Sequence, residues 1–481
     1  MGDVKRIIYQ IGRFDANIDI KLNFKIDSNK YSTELSSFAL KEHFKPSAEV
    51  IIIYPVSILL NKQALEKIQN KTDIRDFYET VEKVLSNDEG IKDYLNNPRE
   101  YLKTHPHSKK AYDFIVIPSI GEFLGYKFFS SIGNITLRIL VDMIDRYYKE
   151  PFDEMYLDIS SGHNIYTYAL TEAGRLFLTI VRLQDFLKEK NMKVFITISE
   201  PISSKDQEYT LFKDFQLDAK AFFYYPINPN PQQINEYAFI EYARKISIIL
   251  KGEEDRDIKR KVSEILYKAY LLYSAIKNNT PLAIYYLCKE YKEEQVDELV
   301  KRIVELLKER LDENLKYYLH KEHKEKLDED LKSFPNLNFE DIRKLLMTLG
   351  LAKGIINVLE KYGICSRELS EGVDLEELKK CFAEEEKSIY NYFELKTNIA
   401  YLRQEINRNF EIYENKITTE WKCLGEIMNL GNTGLDPRNF LAHCGFEKAL
   451  TKVRKTEDGK ILIRYWDDKI EIIKSFLLEA R

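Results

Sequence analysis

Five short β-branched runs, separated by helical stretches, constrain the first half of this 481-residue chain more than any other feature. They fall at residues 6–11, 49–54, 113–117, 154–159 and 193–198. Each ends on a turn signal: Gly12-Arg13, Pro55, Pro118-Ser119, Ser160-Ser161-Gly162 and Ser199-Glu200-Pro201. Runs that are apolar on both faces belong inside a parallel sheet with helices on each side. Helical patterns at 59–85 and 136–148 fit between them. The expectation is a doubly wound, Rossmann-like α/β unit, whose ligands would bind beyond the carboxyl ends of the strands. Pro226, Pro229 and Pro231 then make a stiff connector.

From about residue 235 the pattern is helical. Val296, Leu299, Val300, Ile303, Val304, Leu307, Leu311 and Leu315 recur at three- and four-residue spacing between charged residues, which predicts an amphipathic helix. A second helical block covers 339–360. A third covers 375–416, with one long helix expected over 390–411. Runs at 452–455 and 460–466 flank Thr456-Glu457-Asp458-Gly459, an Asp-Gly hairpin signal, and a short helix over 469–478 closes the chain. The fold class is therefore α/β plus all-α. The expected domains are 1–225, a helical insert over 226–338, and 339–481.

Composition supplies the exclusions. A 44% hydrophobic and 31% charged chain is globular, not disordered. Its 73 basic and 78 acidic residues give −5, so any nucleic-acid site must be a local patch. Cys288, Cys365, Cys381, Cys423 and Cys444 include no Cys-x-x-Cys and no zinc spacing, which predicts free thiols in a reducing cytoplasm and no metal site. Enrichment in Lys, Glu, Ile and Tyr suggests a heat-adapted source. Residues 1–11 carry no signal-peptide core, and the apolar run at 50–60 falls short of the roughly 20 residues of a spanning helix.

The sharpest local feature is Leu435-Asp436-Pro437-Arg438-Asn439-Phe440-Leu441-Ala442-His443-Cys444-Gly445. Asp436 can cap a helix with Pro437 at its first position, and Gly445 can stop it. Arg438 and His443 would lie about 140° apart around the axis, whereas Asn439 and His443 would share a face and let Asn439 orient the imidazole. Arginine grips phosphate and histidine moves protons near neutral pH. No carboxylate cluster adjoins them in sequence, which favours metal-free RNA cleavage by the substrate's own 2′-hydroxyl. At the other end, Asp158-Ile159-Ser160-Ser161-Gly162-His163-Asn164 closes a strand and opens a helix. Backbone N–H groups and hydroxyls there suit an anion, and Asn164 can read a base or ribose. Gly12, Arg13 and Ser119 fall at the same sheet edge.

The Arg-Asn-x-x-x-His string resembles the core of HEPN ribonucleases. The Asp-x-Ser-x-Gly-x-Asn loop resembles that of CRISPR-associated Rossmann-fold (CARF) sensors. In this order the two resemble the CARF–HEPN effector ribonucleases of type III CRISPR immunity, with the sensor over 1–225 and the nuclease over 340–481. The resemblance implies a homodimer, open to higher assembly, that binds cyclic oligoadenylate, with cyclic tetra-adenylate the expected activator. It implies metal-independent cleavage of single-stranded RNA to 2′,3′-cyclic phosphate ends, without a cofactor or a membrane, by Arg438, Asn439 and His443. Gly12, Arg13, Ser119, Ser160, Ser161, Gly162 and Asn164 are the expected activator contacts. The alternatives are a non-catalytic sensor that binds DNA or RNA, duplex included, and a toxin-like nuclease controlled by a protein partner.

Other residues receive plainer readings. His105-Pro106-His107 is expected in a solvated loop, and Ser119-Ile120-Gly121-Glu122 in a connecting loop. Trp421, Trp466, Tyr390, Tyr392 and Phe393 read as packing residues, Arg403 and Arg408 as a solvated face, and Cys444 as a small buried residue. No Gly-x-Gly-x-x-Gly follows the first strand, which argues against NAD.

Overall fold

The computed structural model describes residues 4–189, 192–204, 206–246, 254–289, 291, 293–315, 318–320, 337–430 and 434–480. The chain forms two compact units. One comprises Met1–Thr179, Lys190–Lys220 and Lys301–Phe339; the other comprises Ile180–Glu189, Ala221–Val300 and Glu340–Arg481.

The first unit is built on an eight-stranded sheet. Its strands are β1 (Arg6–Ile11), β2 (Leu22–Ile26), β3 (Asn29–Thr33), β4 (Ala48–Pro55), β5 (Asp113–Ile117), β8 (Glu154–Asp158), β9 (Lys193–Ser199) and β10 (Glu208–Leu217). They lie in the order β3-β2-β10-β9-β8-β1-β4-β5. β9, β8, β1, β4 and β5, the five runs read from sequence, are mutually parallel. They are buried because helices cover both faces: Ile8, Tyr9, Ile51 and Ile52 have no exposed surface.

The expected Rossmann-like parallel core forms, and further strands make the whole sheet mixed. β10 runs antiparallel to β9, and β3 antiparallel to β2. These added strands alternate: β2 buries Leu22, Phe24 and Ile26 and exposes the residues between. The expected loop at 119–122 is also corrected. β6 (Ile120–Phe123) and β7 (Tyr126–Phe129) form a hairpin, and β11 (Tyr318–His320) pairs with β7. The helical pattern at 59–85 divides into helices Lys62–Ile68 and Arg75–Leu85 around a 3-10 turn, Thr72–Ile74.

His105 and His107 overturn the solvated-loop expectation, since both are fully buried. The pair opens the short helix Pro106–Lys110. His105 Nδ1 bonds the Tyr54 hydroxyl at 3.0 Å and its Nε2 the Arg13 carbonyl at 3.1 Å. His107 Nε2 bonds the Ile18 carbonyl at 2.8 Å. The two rings therefore pin the chain that leaves β1.

The second unit is mainly helical. Helix Glu254–Lys277 is tied to the C-terminal helix Ile470–Glu479 where Ser274 Oγ donates to the Leu477 carbonyl at 2.7 Å. Helix Phe339–Lys361 buries Leu345, Leu349, Ile356 and Leu359. The free-thiol expectation is corrected at two positions, because Cys288 and Cys365 are disulfide-bonded. Cys381, Cys423 and Cys444 are free. The long helix expected over 390–411 is broken: helices Ile389–Tyr392 and Lys396–Ile406 are separated by a bend in which Glu394 has φ 59°, and a π-turn follows over Asn407–Glu411. The expected hairpin forms as β14 (Thr451–Lys455) and β15 (Ile461–Tyr465). β12 (Val373–Asp374) and β13 (Lys422–Cys423) extend it to a four-stranded antiparallel sheet, β12-β15-β14-β13.

Candidate active site and ligand edge

The helix Pro437–Ala442 forms as its sequence dictates. Asp436 accepts a hydrogen bond from Arg438 N at 2.8 Å, and Pro437 occupies the first turn, where a missing N–H costs nothing. His443 is the C-cap. Cys444 and Gly445 follow at φ 52° and 78°, and Gly445 N returns to the Phe440 carbonyl at 2.8 Å. A Cβ at Gly445 would come within 2.8 Å of Tyr465 Oη, so only glycine fits this stop.

Phe440 is buried and anchors the helix, whereas Arg438 and Asn439 are exposed. The His443 side chain is 22% exposed. Its Nδ1 lies 2.9 Å from Glu405 Oε2, so the imidazole is oriented by Glu405 and not by Asn439. Asn439 contributes its backbone carbonyl, which accepts from His443 N at 3.0 Å. A carboxylate accepts only, so Nδ1 carries a proton, and in the neutral imidazole Nε2 then holds the lone pair. Glu405 is 13% exposed and is itself held by Asn409, whose Nδ2 donates to Oε2 at 2.9 Å and to the Glu405 carbonyl at 2.8 Å. Arg408 adds an ion pair at 3.6 Å.

Cys444 lies beneath this cluster, and burial together with the Glu405 charge pushes its thiol up to about 12. It accepts from Asn279 Nδ2 at 3.2 Å, which fits a buried packing residue. Burial also raises the Glu447 carboxyl, which the nearby His443 opposes. Sequence reasoning missed Glu405 and Asn409, 38 and 34 residues before His443 along the chain. Among the described residues, no group of three or more His, Cys, Asp or Glu side chains could hold a metal ion. No helix among them is long and apolar enough to cross a membrane.

The expected activator contacts all lie at the carboxyl ends of the parallel strands of the first unit, in two kinds of surroundings. Gly12, Ser119 and the hydroxyls of Ser160 and Ser161 are committed inward. A Cβ at Gly12 would meet Tyr54 Cε1 at 2.3 Å. Ser119 Oγ accepts from Ser57 N at 2.9 Å. Ser160 Oγ accepts from Ser199 N at 2.8 Å, and Ser161 Oγ donates to the Ile11 carbonyl at 3.2 Å and accepts from Gln10 at 2.9 Å. Arg13 folds back, donating to the Asn17 and Glu34 carbonyls at 3.1 Å each. Asp158 is fully buried and caps the loop by accepting from Ser160 N at 2.9 Å; burial raises its carboxyl. These bonds hold the loop so that Gly162, His163 and Asn164 are exposed where helix Asn164–Gln184 begins. Gly162 has φ 109°, and a Cβ there would meet Ile11 Cβ at 2.7 Å.

Two family models match the chain, and no curated protein does. Residues 7–201 match the CARF domain of the CRISPR system endoribonuclease Csx1, and residues 395–469 match its HEPN domain. The first match covers the five parallel strands and their ligand edge and stops before β10; the second spans Glu405, Arg438 and His443. With both domains present in this order, the chain belongs to the CRISPR-associated CARF–HEPN ribonuclease family.

Proposed function

We propose that the chain is a metal-independent endoribonuclease of type III CRISPR defence that cyclic oligoadenylate switches on. The observation that carries this reading is the partly exposed His443, held through Nδ1 by Glu405 at 2.9 Å, at the end of a helix that exposes Arg438.

His443 Nε2 takes the proton from a ribose 2′-hydroxyl. The alkoxide attacks the adjacent phosphorus, and the bond to the 5′-oxygen breaks. The products are a 2′,3′-cyclic phosphate and a 5′-hydroxyl. Arg438 offsets the charge that develops on the non-bridging oxygens. The leaving oxygen needs a proton, and one chain offers one histidine at this helix. A homodimer that apposes two such helices supplies both acid and base. No cofactor is required.

Cyclic oligoadenylate binds the sensor edge. The exposed Gly162, His163 and Asn164 and the helix N-terminus behind them suit a phosphate and an adenine or ribose. Gly12, Arg13, Ser119, Ser160 and Ser161 shape that edge; the Ser160 N–H is held by Asp158, so the backbone N–H of Ser161 is the ligand donor of the pair. His443→Ala and Arg438→Ala are the test. Each is expected to abolish cleavage of single-stranded RNA while leaving cyclic tetra-adenylate binding and the fold intact. Cleavage that survives in both variants would sink the assignment.

A further inference from the structure

The small sheet of the second unit gathers three cations and both tryptophans on one face. Cys423 lies opposite Lys452, Lys452 opposite Arg464, and Arg454 opposite Leu462. Side chains alternate along a strand, so Lys452, Arg454, Leu462 and Arg464 share a face, with Trp421 and Trp466 at the same parity. The other face is the core side, where Thr451, Val453, Ile463 and Tyr465 are buried.

On the outer face each cation is laid against an indole. The Arg454 and Arg464 guanidinium carbons are 4.9 and 4.6 Å from the Trp421 ring centroid. Lys452 Nζ is 3.1 Å from that of Trp466, which is 37% exposed. The Nε atoms of Arg454 and Arg464 are buried without a hydrogen-bond partner. Glu371 pairs with Arg454 and is itself 77% exposed. Arg464 donates to the Ser370 carbonyl at 3.4 Å. Burial and then Arg464 lower Lys452, and Asp467 and Asp468 oppose this. Crowding like charges on an exposed sheet costs stability unless a polyanion relieves it.

We propose that this face is a platform for single-stranded RNA, on which Lys452, Arg454 and Arg464 take phosphates while Trp466 and the guanidinium planes stack bases. A polyanion that also carries unpaired π faces matches both halves of the pattern; a duplex hides its bases and an acidic peptide lacks them. The sheet that carries the platform is joined to the Arg438–His443 helix through its opposite, buried face. β15 is pinned to the helix exit, where Tyr465 Oη donates to the Gly445 carbonyl at 2.9 Å and Trp466 N to the Leu450 carbonyl at 3.2 Å. RNA lying here is delivered to His443, so the inference rests on the ribonuclease reading and names how its substrate is held.

The chain contains only 2 tryptophans, and both lie on this face, so intrinsic tryptophan emission reports on it alone. The experiment titrates the full-length His443→Ala protein with a labelled 2′-O-methyl oligouridylate, which cannot be cut. Emission and label anisotropy are followed together. The expected result is saturable quenching with the same midpoint as the anisotropy. Lys452→Ala combined with Arg464→Ala should raise that midpoint at least about tenfold and flatten its salt dependence. Trp466→Phe should bind better than Trp466→Ala, with circular dichroism confirming that each variant folds. Binding without quenching, or an unchanged midpoint in the folded double variant, overturns the platform. No RNA binding with or without cyclic tetra- or hexa-adenylate overturns the platform and the ribonuclease reading together. Binding with quenching, in a wild-type protein that does not cut RNA even with either ring present, overturns only the ribonuclease reading.

Discussion

Glu405 is the residue on which the proposed chemistry turns. Its carboxylate fixes the Nδ1–H tautomer of His443, and Asn409 fixes the carboxylate. Glu405→Ala should lower RNA cleavage about 100-fold, within the range general acid–base catalysis commands, without changing cyclic oligoadenylate binding. Asn439→Ala should cost far less, since Asn439 meets the histidine only through its backbone. Single-turnover cleavage rates of the two variants compare them directly. Arg438→Lys should keep only a fraction of activity, because an ammonium cannot reproduce the planar fork. The Arg-Asn-x-x-x-His string was legible because its cap, proline and glycine stop are all local. Glu405 was not. It is 38 residues away, between Arg403 and Arg408, which read as a solvated face. The available signal was its i,i+4 spacing to Asn409, a polar residue that proves to be 1% exposed.

The element that positions the sensor edge is the buried pair on helix Pro106–Lys110. Burial pushes His107 down to about 4 and His105 well below its ordinary 6.5. Both are neutral in the folded protein and can charge once it unfolds. Their contribution to stability is complete above pH 6.5 and is lost as pH falls from there towards about 4. The slope should reach ~1.4 kcal/mol per pH unit for each histidine. Urea melts of the full chain between pH 7 and pH 4.5 should show it, with His107→Phe flattening the dependence. Gly12→Ala should destabilise the same unit by about 1–3 kcal/mol, because its methyl overlaps the Tyr54 ring. At this scale the sequence was informative wherever a run was apolar on both faces: all five parallel strands appear, with boundaries within two residues. β10 escaped notice because Phe212 and Phe215 are exposed and its pairing with β9 bulges between them. His105 and His107 escaped because nothing local distinguishes a buried histidine from a solvated one. Their partners are the Tyr54 hydroxyl on β4 and the carbonyls of Arg13 and Ile18.

For the whole molecule, the proposed chemistry requires two chains. Sedimentation or light scattering should give twice the chain mass, and cleavage should fall steeply with dilution below the dimer's dissociation constant. The order of sensor then nuclease was legible because each half carries its own motif. The division into units was less so, since Lys301–Phe339 falls in the first unit, where β11 pairs with β7 of the small three-stranded sheet. Strand pairing across nearly two hundred residues leaves no local mark in sequence. The central claim is that a ligand on the CARF domain controls cutting by the HEPN domain. Its most direct test is cleavage of single-stranded RNA by the purified chain, in chelator, across a titration of cyclic tetra- and hexa-adenylate. Negligible cleavage is expected without ligand, with a saturable rise for one ring size. The products should carry 2′,3′-cyclic phosphate ends, and His443→Ala should show no rise. Cleavage indifferent to both rings, or undiminished in His443→Ala, would contradict that claim.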